Sequence, residues 1–114
     1  MNENKKSNIF VVEVNNNYGE AEYSHYIING IAKTRLRLKV GIQYEFHINA
    51  KHYPFYITED VMGGEDDTSD AQEKYGKAID DGIFTFTPTK DMRGKTLYYH
   101  STRILKMGYK INIV

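Results

Sequence analysis

The chain has 114 residues, with fifteen acids balanced by fifteen bases and no cysteine. That length suits one domain that buries a core unaided, and the absence of cysteine excludes a disulfide framework, a thiolate metal site and a cysteine nucleophile. Zero formal charge argues against a surface devoted wholly to nucleic acid.

The first eight residues, MNENKKSN, are polar and have no apolar segment behind their lysines, so they read as neither secretory signal nor membrane anchor. Residues 1–7 are expected to form a flexible tail and residues 8–114 a single domain. The expected setting is the cytoplasm or a virion assembled there, without membrane contact. Asn, Ile, Lys and Tyr are all plentiful, the bias of an A/T-rich coding sequence, which adds a viral or mobile-element source to the expectation.

Alternation of apolar and polar residues predicts strands almost throughout. Phe10, Val12 and Val14 alternate with Ile9, Val11 and Glu13 before the turn-rich stretch from Asn15 to Gly19. A second strand is expected from Ser24 to Asn29, breaking at Gly30. From Thr34, Leu36, Leu38 and Val40 face one way and Arg35, Arg37 and Lys39 the other, as in a pleated ribbon with one wet face. Tyr44, Phe46 and Ile48 continue the pattern, and Phe55 to Thr58 follow Pro54, a residue suited to a strand start.

Residues 59–82 form an acidic excursion, in which Asp70-Ala-Gln-Glu73 has capping-box spacing and predicts a short helix ending at Gly76. Strands at Ile83–Thr87, Thr96–Ser101 and Tyr109–Val114 complete a set of seven or eight. The fold class is all-β, a sandwich or small barrel of Greek-key type. Phe10, Tyr44, Phe46, Phe84 and Phe86 belong to its core, whereas at least one of the neighbours Tyr98 and Tyr99 faces outward.

Chemistry-bearing patterns are few. No phosphate-cradling glycine loop, Ser-His-Asp arrangement or paired carboxylates on regular structure emerges, so an enzyme is not expected. The acids from Glu65 to Asp70 lack the ligand register of a calcium loop. Lys33, Arg35, Arg37 and Lys39 line one strand face at i to i+2 spacing, which fits a solvated face, a protected sheet edge, a polyanion site for nucleic acid, or contact with a partner's acidic patch.

A series of landmarks across residues 24–114 resembles the plastocyanin-like cupredoxins: YIING at 26–30, the Leu36 and Leu38 strand, Gly41 with Tyr44 and Phe46, PFYI at 54–57, GIFTFTP at 82–88, Leu97-Tyr-Tyr99 and Met107-Gly108. The resemblance implies a cupredoxin-like β-sandwich. It also implies a type 1 copper site of two His, one Cys and an axial Met, whose positions here hold Tyr53, Ser101, Ile104 and Met107. Ser is a hard, protonated oxygen donor and Ile has no lone pair, so three of the four donors are lost and no cofactor is expected.

The resulting expectation is a non-enzymatic binding or structural module that associates with a protein partner or with itself. His52, Tyr53, Ile104 and Leu105 on the former metal rim are the first candidate surface, and the basic strand 33–39 is the second. Two alternatives stand beside it: a copper-binding electron-transfer protein with rearranged ligands such as His52 or His100, and a nucleic-acid-binding protein using the basic strand.

Overall fold

A computed structural model describes residues 8–15, 24–63 and 74–114. The expected tail, the Asp70–Glu73 capping box and the acids from Glu65 to Asp70 lie outside these residues. Nine strands follow in order: β1 (Ile9–Asn15), β2 (His25–Ile28), β3 (Ile31–Ala32), β4 (Leu36–Leu38), β5 (Tyr44–Asn49), β6 (Phe55–Thr58), β7 (Asp81–Phe86), β8 (Thr96–Ser101) and β9 (Lys110–Ile113). They form a five-stranded sheet in the order β3-β2-β1-β5-β7 and a four-stranded sheet in the order β4-β9-β8-β6. The all-β sandwich expected from the alternation is therefore the fold.

One strand more than expected comes from the hairpin that joins β2 to β3. Asn29 and Gly30 take positive φ values of 52° and 85° while Ile28 pairs with Ile31 across them. This is the Asn-Gly two-residue turn whose twist matches the flanking strands. The chain does not simply break at Gly30; it reverses.

A second departure concerns the basic segment, of which only Leu36–Leu38 is strand. Lys33 stands before β4 with φ 55°, a left-handed conformation that no strand residue adopts. At the far end the Lys39 N–H donates to the Tyr44 hydroxyl at 2.8 Å instead of to a neighbouring strand. Arg37 alone of the four cations lies within the ladder, opposite Asn112 of β9.

The two inner faces meet over an aromatic cluster centred on Phe55, which is fully buried. Its ring lies 5.2 Å from Phe46, 5.4 Å from Phe84, 5.5 Å from Tyr26 and 5.9 Å from Tyr99, within the range of favourable edge and offset contacts. Tyr44, Phe46, Phe84 and Phe86 are buried and Phe10 packs against them. Tyr99 points inward while Tyr98 is half-buried on the outer face. Strand β6, buried along its whole length, is bridged on its outer edge at its first residue by reciprocal backbone bonds between Phe55 and Ile79 at 2.8 and 3.1 Å.

Candidate functional site

The loop between β5 and β6 and the loop between β8 and β9 converge at one end of the sandwich, where the resemblance to cupredoxins would put a copper site. A run of hydrogen bonds ties them together. The Arg103 N–H donates to Ser101 Oγ at 3.0 Å, Ser101 bonds in turn to the Tyr26 hydroxyl, and that hydroxyl donates to the Tyr53 carbonyl oxygen at 2.7 Å. Tyr26 and Ser101 are both fully buried, so their polar atoms must satisfy one another in place of water. Burial pushes the Tyr26 phenol well above the usual tyrosine range, which keeps it a neutral donor.

Arg103 closes the outside of the same structure. Its guanidinium donates to the His52 carbonyl oxygen at 3.0 Å and sits 5.7 Å from the centre of the Tyr53 ring, a cation-π distance. His52 holds a left-handed backbone, φ 78°, fixed by its N–H bond to Asp80 Oδ2 at 2.9 Å. Beyond these, Ile104 packs partly against the core and Leu105 is 53% exposed. Met107 is fully buried in the core, and its carbonyl accepts the Tyr26 N–H at 3.0 Å.

This donor set does not fit a type 1 copper ion. The serine oxygen is committed to two hydrogen bonds, Ile104 has no lone pair, and a thioether alone holds copper weakly. Among the described residues no group of three or more His, Cys, Asp or Glu converges. His100, proposed as a rearranged ligand, lies on the other face of β8 from Ser101, buried rather than on the rim. Its Nε2 bonds the Val61 carbonyl at 2.9 Å and its Nδ1 accepts the Gly108 N–H at 3.2 Å. Both ring nitrogens are thereby used, and burial lowers its basicity. His47 pairs with Glu45 at 2.9 Å on the outer face of the five-stranded sheet.

The remaining candidates separate. Arg35, Arg37 and Lys39 are exposed and alternate with the buried Leu36 and Leu38, whereas Lys33 lines a pocket with Lys106 and Lys110. Residue-by-residue reading missed Tyr26, the residue that fills the site from the opposite sheet. Its signal was its inward register on β2, which acquires meaning only when β2 is laid across the ends of β6 and β8.

Two sheets in this order, with loops converging over a buried methionine, define a cupredoxin-like β-sandwich. The chain is similar over 93% of its length to reduced rusticyanin, at 17% identity and TM-score 0.56 over 78% of that chain, and to rusticyanin from Thiobacillus ferrooxidans, at 16% identity and TM-score 0.53 over 76% of that chain. A rusticyanin variant is similar at TM-score 0.59 and 15% identity, over 93% of this chain and 76% of that one. Residues 3–114 match the At5g54830-like domain, and the chain belongs to that family.

A relative in Arabidopsis thaliana, the cytochrome b561, DM13 and DOMON domain-containing protein At5g54830, is 32% identical over 88 residues, or 69% of this chain. The chain spans about 10% of that protein's length. Among the described residues no helix is long and apolar enough to cross a membrane.

Proposed function

We propose that this chain is a non-enzymatic cupredoxin-like binding or structural module whose metal end has been rebuilt as a hydrogen-bonded plug, and that this end contacts a protein partner. The observation that carries the reading is the Ser101–Tyr26–Tyr53 bonding, which spends on internal cohesion the positions a cupredoxin spends on copper. The exposed Leu105 beside the Arg103 clamp supplies an apolar centre with a polar rim, the composition that contact surfaces favour. The Arabidopsis relative combines several kinds of domain in one protein, so a neighbouring domain or a second copy is the class of partner proposed.

The test is capture from the native source with the wild-type protein and with Leu105→Asp and Arg103→Ala as baits. Loss of one specific partner from both variants, with folding intact, supports the rim. Equal capture by all three baits overturns it. The relative's cytochrome name favours one other reading, electron transfer with rearranged ligands; tightly held copper in the purified chain would bring it forward. An origin in a viral particle draws on composition alone, and the plant relative lends it no support.

A further inference from the structure

The outer face of the four-stranded sheet, where the loop between β8 and β9 returns to it, carries a pocket of about 180 Å³. It is lined by Val61, Tyr98, His100, Gly108 and Tyr109 and by three lysines, Lys33, Lys106 and Lys110. We propose that this pocket binds a compact organic anion, a carboxylate carried on a single flat apolar ring.

Three features lead there. The first is charge, since among the described residues three cations and no acid line the pocket. None of the ion pairs among the described residues engages Lys33, Lys106 or Lys110. Clustered ammonium groups repel one another, and an anion relieves that repulsion through charge-assisted bonds. Asp60, the acid in electrostatic reach of His100, has its carboxylate turned to the Met62 N–H at 2.8 Å.

The second feature is shape. Tyr98 and His100 stack with rings 5.8 Å apart and 5° from parallel, giving a flat floor. Both nitrogens of the buried imidazole are bonded to backbone, so it brings no charge to the lining and supports the half-buried Tyr98 ring from beside it. The volume falls below the roughly 300–1,000 Å³ of sites for drug-sized ligands, which limits the occupant to about one ring.

The third feature is preorganisation. Lys33 and Lys106 both hold left-handed backbones, φ 55° and 56°, a conformation uncommon for residues with a side chain. Lys106 is fastened by its N–H bond to the Met62 carbonyl at 2.7 Å. Lys110 lies with its ammonium 5.8 Å from the centre of the Tyr109 ring. Two separate turns and a strand thus deliver the cations to one place, which the spacing of the basic segment in sequence did not foretell.

The experiment is an amide NMR titration of the folded chain with benzoate, its neutral isostere benzamide, and inorganic phosphate. Benzoate is expected to give saturable shifts centred on Lys33, Tyr98, Lys106 and Lys110, with benzamide and phosphate each at least about tenfold weaker. Lys106→Gln and Lys33→Gln should each weaken benzoate about tenfold, while Arg37→Gln, on the same sheet but outside the pocket, leaves it unchanged. Benzamide binding as tightly as benzoate, phosphate binding as tightly as benzoate, or no saturable shift up to the solubility of benzoate overturns the proposal. So does a single-stranded oligonucleotide that binds more tightly and is weakened as much by Arg37→Gln as by Lys106→Gln, because that pattern belongs to a diffuse polyanion face.

Discussion

Replacing Tyr26 by Phe removes one oxygen from the point where the two sheets meet the β5–β6 and β8–β9 loops. That oxygen donates to the Tyr53 carbonyl at 2.7 Å and bonds Ser101, with Tyr26 and Ser101 both at 0% exposure. Losing the net contribution of one hydrogen bond costs about 0.5–1.5 kcal/mol, and leaving the serine hydroxyl without its buried partner costs about 1–3 kcal/mol more. A total of about 2.5 kcal/mol is expected. With an unfolding entropy of roughly 2.1 cal/mol/K per residue, a chain of 114 residues loses about 10 °C in Tm.

The assay is thermal and urea unfolding of Y26F beside Y99F, whose hydroxyl donates singly to the Thr34 carbonyl at 2.7 Å and should cost about 1 kcal/mol. A double-mutant cycle with Ser101→Ala should give a coupling of about 1 kcal/mol, because removing both groups leaves neither of the two without the other. A Y26F shift no larger than that of Y99F, together with additive Y26F and S101A, would refute the idea that these groups form one cooperative plug.

Phe55→Ala should cost about 3–5 kcal/mol in urea unfolding, since its ring touches four other aromatic rings at the centre of the core. Gly108→Ala should destabilise by about 3 kcal/mol or prevent folding, because a Cβ there would overlap the Tyr99 carbonyl and ring; a Tm within about 2 °C of wild type would show that the loop shifts freely. Above pH 10 stability should fall. Tyr26 and Tyr99 ionise in the unfolded chain near 10.0 but are raised by burial when folded, so the folded state binds more protons there and loses ground as pH climbs; Y26F should flatten the slope of urea midpoint against pH. At the other end, His100 is lowered by burial from 6.5, so the contribution of its neutral form is complete above that value and is lost as pH drops through the folded-state value; a midpoint that stays level below pH 6.5 would count against its buried, doubly bonded state.

Much of the sandwich was legible because β-strands display their burial every second residue. Leu36 and Leu38, Tyr44 and Phe46, and Phe84 and Phe86 all alternate with exposed or half-buried neighbours, and their inward faces could be read without knowing what they meet. The extra strand β3 escaped because two residues are too few to show alternation, although Asn29-Gly30 carried the hairpin signal. The cation row was misplaced because a left-handed Lys33 leaves no trace in composition; alternation was extended past a turn that ends it.

The candidate site was half visible. Tyr53, Ser101 and Ile104 stood out as substitutions in a metal pattern, since donor chemistry is a property of residue type alone. Tyr26 did not, because a plug is defined by what lies across the sheet gap, and cross-sheet neighbours are set by packing rather than by spacing. His100 likewise looked like a strand residue facing outward; the covering segment that buries it contributes Val61 and Gly63, whose closeness to the imidazole is tertiary.

Metal content by plasma mass spectrometry, on untagged chain expressed with copper in the medium and dialysed against a mild chelator, bears most directly on the proposed rebuilding of the metal end. Copper is expected far below stoichiometric, with no change in Y26F stability when copper is added. One equivalent of copper per chain, lost when Met107 or His52 is replaced, would contradict it.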